Sequence, residues 1–373
     1  MSKSPFIGAV LALSLLGSAP ATAEIRIGVA GPLTGPSAAF GDQLKNGAAQ
    51  AADDINRAGG LLGEKVSIVL GDDVGDPKQA VSVANHFAGD GVRLVVGHFT
   101  SGSTIPASDI YADNGMLMVT PTATNPKITD RGLWNVFRTC GRDDQQASVA
   151  ASWIASKFAG KKLAVVDDKT AFGRGLADEM RKRLKASGAT IVVDDAVNVG
   201  EKDYSAVVSK LKGAGAEVIY WGGLYTEGGL ILRQMQDADY HPIFVTSDGV
   251  ASSDFASIGG PSVDGVLMTF APDPRKWPEA ASVVERFRND RHFEPESFTL
   301  YAYAAVQVIA QAAERAKSAD PKKVADALKS GSVFQTVLGP LTYDAKGDIQ
   351  RPDYRMFRWS KGATGSFGYD VIE

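Results

Sequence analysis

Residues 163–193 have the sequence LAVVDDKTAFGRGLADEMRKRLKASGATIVV, and this stretch decides the fold. Its two ends, 163–166 and 190–193, are short runs rich in valine and isoleucine, whereas the periodicity between them predicts a helix over about 175–187. Strands that are apolar along their whole length and separated by helices are typical of parallel sheets covered on both faces. The stretch therefore predicts a strand–helix–strand unit of an α/β protein.

The same alternation continues on both sides of this stretch and forms two series. In the first series, strands are predicted at 25–30, 66–70, 94–96 and 116–119, with helices at 41–57, 77–88 and 104–114. In the second series, strands at 163–166, 190–193, 218–221 and 243–246 alternate with helices at 175–187, 204–212 and 227–238. Two such series predict an α/β protein of two doubly wound, Rossmann-like lobes.

The C-terminal part of the chain follows a different order. After a strand at 265–270, helical patterns occupy 279–289, 298–317 and 321–329, and short strands are predicted at 341–343, 354–359 and 367–371. These strands are too few for a third domain, so we expect this segment to cross back and complete the two earlier lobes.

The N-terminus predicts export from the cytoplasm. Lys3 precedes an uncharged apolar stretch at 6–16, and Ala21-Thr22-Ala23 has the small-x-small pattern that signal peptidase cleaves. The apolar stretch is shorter than the ~20 residues needed to span a bilayer. We therefore expect a cleaved signal peptide at 1–23 and a mature protein in a bacterial periplasm.

The composition argues against several other classes of protein. The chain has 39 Lys and Arg against 43 Asp and Glu, a formal net charge of −4, so it lacks the basic surface of a nucleic-acid binder. Its single cysteine, Cys140, cannot form an internal disulfide and is expected to be a buried packing residue, with a reactive thiol as the alternative. We expect a monomer that binds no nucleic acid.

Motifs of the common enzyme classes do not occur in the sequence. It has no Walker phosphate-binding loop, no His-Glu-x-x-His, no Gly-x-Ser-x-Gly and no Cys-x-x-Cys. The four histidines are scattered, and no two have metal-ligand spacing. We therefore expect no catalytic residue, metal site or cofactor; an α/β enzyme is the alternative, which rests on the strand–helix alternation alone.

Polar residues follow several predicted strands, at the edge where open α/β sheets bind ligands. In 95–104, VVGHFTSGST, the hydroxyls of Ser101, Ser103 and Thr104 open a helix whose first N–H groups suit a carboxylate or phosphate. The alternative is that one of these hydroxyls only caps the helix. Asp248, after the strand at 243–246, could likewise cap a helix or hold an ammonium group.

Two further sets of residues are candidates for the same edge. Thr122 and Thr124 lie in a loop with two prolines, where an ordinary rigid loop is the alternative to a binding role. Four aromatic residues lie in or beside loops that follow strands, where core packing is the alternative to lining an apolar cleft: Phe40, Phe172, Trp221 and Tyr225.

Several short segments, taken together and in this order along the chain, are specific enough to indicate a protein family. They include Gly31-Pro-Leu-Thr-Gly-Pro36, Asp73-Val-Gly-Asp-Pro-Lys-Gln-Ala80, Asp168-Lys-Thr-Ala-Phe-Gly173 and Gly339-Pro-Leu-Thr342. From about residue 25 to 359 the chain resembles the periplasmic leucine/isoleucine/valine-binding proteins, the substrate-binding components of ABC importers. The resemblance implies the type I periplasmic binding protein fold, in which two lobes joined by three crossovers enclose a ligand cleft. The lobes would comprise 24–141 with 271–351, and 142–270 with 352–373.

The resemblance also implies how an amino acid would be held by its α-groups. Ser101 and Thr124 match hydroxyls that bind the ligand carboxylate. Thr122 matches a backbone carbonyl that meets the ammonium group, and Asp248 matches an acid of the second lobe that also binds it. The ligand would then find complementary charge on both lobes, which offsets much of the cost of desolvating a zwitterion.

The residues that depart from the family pattern are those that would surround the ligand side chain. Phe40, Phe172 and Leu224 stand where tyrosines are common in the family, while Phe99 and Phe298 narrow the side-chain pocket. The implied ligand is leucine, isoleucine or valine, or another small one such as alanine, proline or γ-aminobutyrate, delivered to an ABC permease. The alternative is a sensor of the same fold that binds an amide, urea or aromatic acid, for which an acid at position 248 has little use.

Overall fold

The first of two α/β sheets is built from the N-terminal part of the chain. The computed structural model describes residues 24–350, 352–363 and 365–372, so the predicted signal peptide at 1–23 lies outside the described residues. The five strands are parallel in the order β2-β1-β3-β4-β5: β1 (Glu24–Gly31), β2 (Lys65–Asp72), β3 (Leu94–Gly97), β4 (Leu117–Thr120) and β5 (Val136–Arg138). The helices between them are α1 (Ala38–Arg57), α2 (Pro77–Gly89), α3 (Ser101–Asp113) and the short α4 (Lys127–Asp130).

The second sheet has seven strands in the order β14-β13-β10-β9-β8-β6-β7. Its parallel strands are β6 (Leu163–Asp167), β7 (Ile191–Ala196), β8 (Val218–Gly222), β9 (Ile243–Thr246) and β10 (Leu267–Phe270). The accompanying helices are α5 (Asp143–Lys157), α6 (Ala171–Ala186), α7 (Ser205–Gly213), α8 (Tyr225–Asp237) and α9 (Ser253–Gly259). The parallel part repeats the strand order of the first sheet, so the predicted pair of doubly wound sheets is confirmed.

The C-terminal part of the chain packs helices against the first part of the fold and adds strands to the second sheet. Its helices are α10 (Pro278–Arg291), α11 (Ser297–Ala316) and α12 (Pro321–Leu328), and a hairpin follows, formed by β11 (Phe334–Thr336) and β12 (Gly339–Leu341). The apolar α11 is almost entirely buried and packs on α1, whereas β13 (Arg355–Lys361) and β14 (Phe367–Val371) extend the second sheet as antiparallel strands. We call the five-stranded sheet with α1–α4 and α10–α12 the first lobe, and the seven-stranded sheet with α5–α9 the second lobe.

A buried ion cluster lies where the chain passes between the lobes. Arg138, at the end of β5, is fully buried, and its Nε lies 2.6 Å from an Asp348 carboxylate oxygen. Arg142, just before α5, places its Nη1 2.8 Å from the other oxygen of Asp348. Residues 138–142 lead from the first lobe to the second, and Asp348 precedes the segment that returns to β13. Arg138, Arg142 and Asp348, which we call the hinge cluster, therefore hold together two segments of the chain that cross between the lobes.

The element boundaries differ from the predicted ones mainly beside the space between the lobes. Helices α3, α6 and α8 begin at Ser101, Ala171 and Tyr225, two to four residues before their predicted starts. Helix α5 was not predicted at all. Among the described residues, no helix has both the length and the apolar character needed to cross a membrane.

Candidate functional site

A cavity of about 570 Å³ lies between the lobes, at the carboxyl ends of the parallel strands of both sheets. This volume is within the range typical of small-molecule sites. Eight of the residues predicted from the sequence line it: Phe40, Phe99, Ser101, Thr122, Phe172, Leu224, Asp248 and Phe298. Three others, Thr124, Trp221 and Tyr225, do not.

The N-terminus of α3 provides the side of the cavity that suits an anion. Thr100 is the N-cap residue, and its hydroxyl accepts from the Ser103 N–H at 3.2 Å. The helix is therefore capped by none of the three predicted hydroxyls, those of Ser101, Ser103 and Thr104. Ser101 Oγ accepts from the Asn125 N–H at 3.2 Å. Within the described part of the chain, the backbone N–H groups of Ser101 and Gly102 have no acceptor, and both residues line the cavity. Such free N–H groups, aided by the helix dipole, bind carboxylates.

The two threonines after β4 occupy different positions. Thr122 lines the cavity, and its hydroxyl donates to the Phe99 carbonyl at 2.7 Å, so the oxygen atoms of this residue are left to a ligand as acceptors. Thr124 is fully buried behind the cavity wall. Its carbonyl accepts from the Asp143 N–H at 2.9 Å, whereas its hydroxyl has no hydrogen-bond partner among the described residues.

Asp248 provides the side of the cavity that suits a cation. It opens a 3₁₀ turn, Asp248–Val250, whose N-cap residue is Ser247, and the residue is 4% exposed. Among the described residues, no Lys, Arg or His forms an ion pair with it. Burial, together with the nearby Asp143, raises the pKa of Asp248 to about 8. A ligand ammonium group would provide the counter-charge that this carboxyl lacks.

A second buried carboxyl and an amide lie directly behind Asp248 and were not singled out from the sequence. Gln146 Nε2 donates to Asp248 Oδ1 at 3.1 Å and to Asp143 Oδ1 at 2.9 Å. The Thr269 hydroxyl donates to Gln146 Oε1 at 3.0 Å, which orients the amide nitrogen towards the two acids. Burial raises the pKa of Asp143 to about 6. Both Asp143 and Gln146 are on α5, so missing that helix also hid these residues.

The apolar side of the cavity is a cluster of phenylalanines. Phe40 and Phe99 are stacked with ring centroids 4.4 Å apart, and Phe298 meets Phe99 edge-to-face at 5.5 Å. Phe172 lies so close to Gly249 that a Cβ at that glycine would be 2.9 Å from its ring. These rings leave no hydroxyl to bind a polar side chain, so this part of the cavity suits an aliphatic group.

Trp221 and Tyr225 support the cavity rather than line it. Trp221 is fully buried in the second lobe, and its indole N–H donates to the Leu224 carbonyl at 3.2 Å. The hydroxyls of Tyr225 and Thr226, on the second lobe, both donate to the Pro36 carbonyl of the first lobe at 3.0 Å.

Another of the hydrogen bonds between the lobes lies beside the cavity wall. Asn125 Nδ2, of the first lobe, donates to the Ala171 carbonyl of the second at 2.7 Å. We call these three bonds, from Tyr225, Thr226 and Asn125, the cross-cleft hydrogen bonds. They hold the lobes in contact around the cavity.

Two further acids of the cavity wall were not predicted from the sequence. Asp168 Oδ1 accepts from the N–H and hydroxyl of Thr170 at 2.9 and 2.6 Å, and burial raises its pKa to about 6. Glu227 Oε1 accepts from the Gly200 N–H at 3.0 Å. The Asp-x-Thr pattern before α6 is a helix-start signal that could have located Asp168. Both acids hold the loops that form this wall.

His98 and the single cysteine, Cys140, lie outside the cavity. His98 is fully buried, with Nδ1 2.6 Å from Asp73 Oδ2 and Nε2 2.8 Å from the Tyr111 hydroxyl. Cys140 is buried, and burial raises the pKa of its thiol far above the ordinary value, which disfavours a reactive thiolate. In the described ranges, no three His, Cys, Asp or Glu side chains converge as metal ligands.

Comparisons with known proteins agree with this geometry. The chain is 53% identical to Leu/Ile/Val-binding protein homolog 1 of Brucella melitensis over 99% of both chains, and 47% identical to the Leu/Ile/Val-binding protein BraC3 of Rhizobium johnstonii over 95% of this chain and 96% of that one. Its structure is similar to a leucine-binding protein of Thermotoga maritima, with a TM-score of 0.84 and 27% identity, covering 93% of this chain and 98% of that chain.

A second solved structure is equally similar. It is the branched-chain amino acid transporter substrate-binding protein of Streptococcus pneumoniae in complex with isoleucine, with a TM-score of 0.84 and 25% identity over 94% of this chain and 99% of that chain. The sequence profile of the family described as "Periplasmic binding protein" matches residues 24–364. The two lobes, the cavity between them and these matches together show that the chain belongs to the periplasmic binding protein family.

Proposed function

We propose that this protein is the substrate-binding component of an ABC importer and captures a branched-chain or other small aliphatic amino acid as its zwitterion. The observation that carries the proposal is the distribution of charge across the cavity. The first lobe presents the free N–H groups of Ser101 and Gly102, and the second presents Asp248, which has no cationic partner among the described residues. An α-carboxylate and an α-ammonium group complement these two sides.

The remaining parts of the proposal follow from this arrangement. The ligand carboxylate would bind at the start of α3, and the ammonium group would lie between the Thr122 carbonyl and Asp248, with the side chain against the phenylalanines. A ligand without an ammonium group, such as an amide, a urea or an aromatic acid, would leave Asp248 buried and unpaired. The branched-chain ligands of the similar proteins, isoleucine in one complex, support an aliphatic side chain.

The cellular setting is part of the same proposal. The protein would act in the periplasm as a monomer and deliver its ligand to a membrane permease, without catalysing a reaction. The lobes that close on the ligand would be 24–141 with 271–351, and 142–270 with 352–373. Closure is driven by the difference in ligand affinity between the open and closed states.

Isothermal titration of the refolded mature protein tests the ligand class. We expect saturable binding of at least one of leucine, isoleucine, valine, alanine, proline or γ-aminobutyrate. Refolding removes any ligand carried from the expression host. Two leucine analogues serve as controls: leucinamide lacks the carboxylate, and 4-methylpentanoate lacks the ammonium group. Each should bind at least about a hundredfold more weakly than leucine. Failure of all the amino acids to bind more tightly than millimolar would contradict the proposal.

Replacing Phe99 with leucine should change the selectivity. Phe99 packs against both Phe40 and Phe298 on the cavity wall, so the smaller side chain makes room for a longer ligand. Because one methylene changes affinity by about 1–3 kcal/mol, we expect the leucine-to-alanine affinity ratio to rise about tenfold with alanine binding nearly unchanged. The measurement is a pair of titrations, with leucine and with alanine, on each protein.

The control applies the same substitution away from the cavity. Phe87 is fully buried in the first lobe and does not line the cavity, so Phe87→Leu should leave the ratio unchanged. If Phe99→Leu also leaves the ratio unchanged, Phe99 does not limit the ligand side chain.

A further inference from the structure

Asp143 and Asp248 form an acid pair that shares one hydrogen-bond donor. The two carboxyls accept at 2.9 and 3.1 Å from the same nitrogen, Gln146 Nε2. Asp143 is fully buried, Asp248 is 4% exposed, and Asp143 Oδ2 has no hydrogen-bond partner within the described residues. Two carboxylates this close together in a buried site cannot both be ionised without a compensating charge.

The surroundings of the acid pair provide little such charge. Arg138 acts on Asp143 from a distance, but its guanidinium is engaged with Asp348 in the hinge cluster. The other titratable groups facing the pair, from the elements packed on it, are Tyr220, Tyr301, Tyr354, Cys140 and Asp144. Burial raises the pKa of the three tyrosines and the thiol, so these four groups are neutral at physiological pH.

We propose that the acid pair and Gln146 act as one unit that holds a single positive charge, either a proton or the ammonium group of the ligand. In this unit Asp143 is a positioning residue: it does not line the cavity, and it acts on the ligand through Asp248. The inference rests on the proposed function, because it takes the ligand to carry an ammonium group. Binding then replaces the proton with the ammonium group and releases the proton to solvent.

The expected pH dependence has a definite sign. In the unliganded site the pKa of Asp248 is raised to about 8, and an ammonium group beside it favours the ionised form and lowers that pKa. Protons therefore compete with the ligand below about pH 8. We expect affinity to rise with pH, by up to about tenfold per unit between about pH 6 and 8, and to level off above that range.

Two variants should displace this profile in opposite directions. Asp143 raises the pKa of Asp248, so Asp143→Asn should move the rise in affinity to lower pH. The Gln146 hydrogen bond lowers the same pKa, so Gln146→Met, of similar length, should move the rise to higher pH. A merely structural defect would weaken binding equally at every pH. Titration calorimetry at pH 7 in two buffers of different ionisation enthalpy should show close to one proton released by the wild type and clearly less by Asp143→Asn.

Carbon-13 NMR of the ligand-free protein, labelled at the aspartate carboxyls, tests the unit without any ligand. We expect one carboxyl midpoint near pH 8 that Asp248→Asn removes, Asp143→Asn lowers and Gln146→Met raises. Asp168→Asn should leave this midpoint in place, because its own carboxyl has a pKa of about 6. Identical midpoints in the wild type, Asp143→Asn and Gln146→Met, or ligand binding without proton release, would overturn the inference. Failure of every amino acid to bind would instead contradict the proposed function, while the NMR midpoints would still decide whether the unit exists.

Discussion

Replacing Asp248 with asparagine is expected to weaken the binding of every amino-acid ligand by two to three orders of magnitude, about 3–4 kcal/mol. Asparagine has the same shape and can still accept the hydrogen bond from Gln146, so the fold should be retained. It has no charge, however, and leaves the ligand ammonium group buried without a counter-ion. The measurement is titration calorimetry at about pH 8.5, where most of the wild-type carboxyl is ionised.

Asp168→Asn is the matched control for this prediction. Asp168 is also a buried acid of the cavity wall, but its carboxyl is held by Thr170 at the start of α6. We expect its replacement to weaken binding less than tenfold. A larger loss from Asp168→Asn than from Asp248→Asn would mean that the ammonium group lies beside Asp168 instead of Asp248.

Removing the carboxylate of the hinge cluster is expected to cost about 3–5 kcal/mol of unfolding free energy. Asp348 is 5% exposed and is the ion-pair partner of Arg138, which is fully buried, so Asp348→Ala leaves a buried guanidinium without its counter-charge. The same substitution also removes a partner of Arg142. Urea unfolding followed by tryptophan fluorescence measures the loss as a lower midpoint.

A double substitution separates the unpaired charge from simple loss of packing. Arg138→Met with Asp348→Leu replaces the ion pair by apolar side chains and leaves neither charge unpaired at this position. Such replacements are often neutral or stabilising, so the double variant should be more stable than Asp348→Ala alone. A double variant that is less stable than the single one would show that the cluster stabilises the fold through its hydrogen bonds rather than through charge balance.

The sequence predicts the sheets well because buried parallel strands have a strong local signal. The strand at 243–246 is predicted with its observed bounds, and the strand at 163–166 ends one residue short of β6. Helix starts beside the cavity are predicted late. The first turns of α3, α6 and α8 contain Ser101 and Phe172, which line the cavity, and Tyr225, which donates a hydrogen bond to the other lobe. Hydrophobic periodicity reports only packing within a lobe, so it cannot detect these turns.

Helix α5 shows the same limit more strongly. Its buried face consists of Gln146 and small residues such as Ala147, Ala150 and Ala151, which stand out little from the serines between them. Without that helix, the acid behind Asp248 could not be recognised from the sequence.

The spacing of residues within a loop also does not predict which of them line the cavity and which are buried behind its wall. Thr122 and Thr124 are two positions apart and chemically identical, yet one lines the cavity and the other lies behind it against Asp143. The sequence therefore identifies the region of the site better than the role of each side chain.

The cross-cleft hydrogen bonds affect how long the cleft stays closed, but they do not affect which ligand is preferred. The bonds from Tyr225 and Thr226 to Pro36, and from Asn125 to Ala171, join protein to protein and must break before the cleft opens. Because no ligand atom takes part in them, they add the same amount to the opening barrier for leucine as for alanine. Differences in residence time among ligands then arise only from contacts inside the cavity, whereas the fastest rate at which any ligand can be released is set by the protein itself.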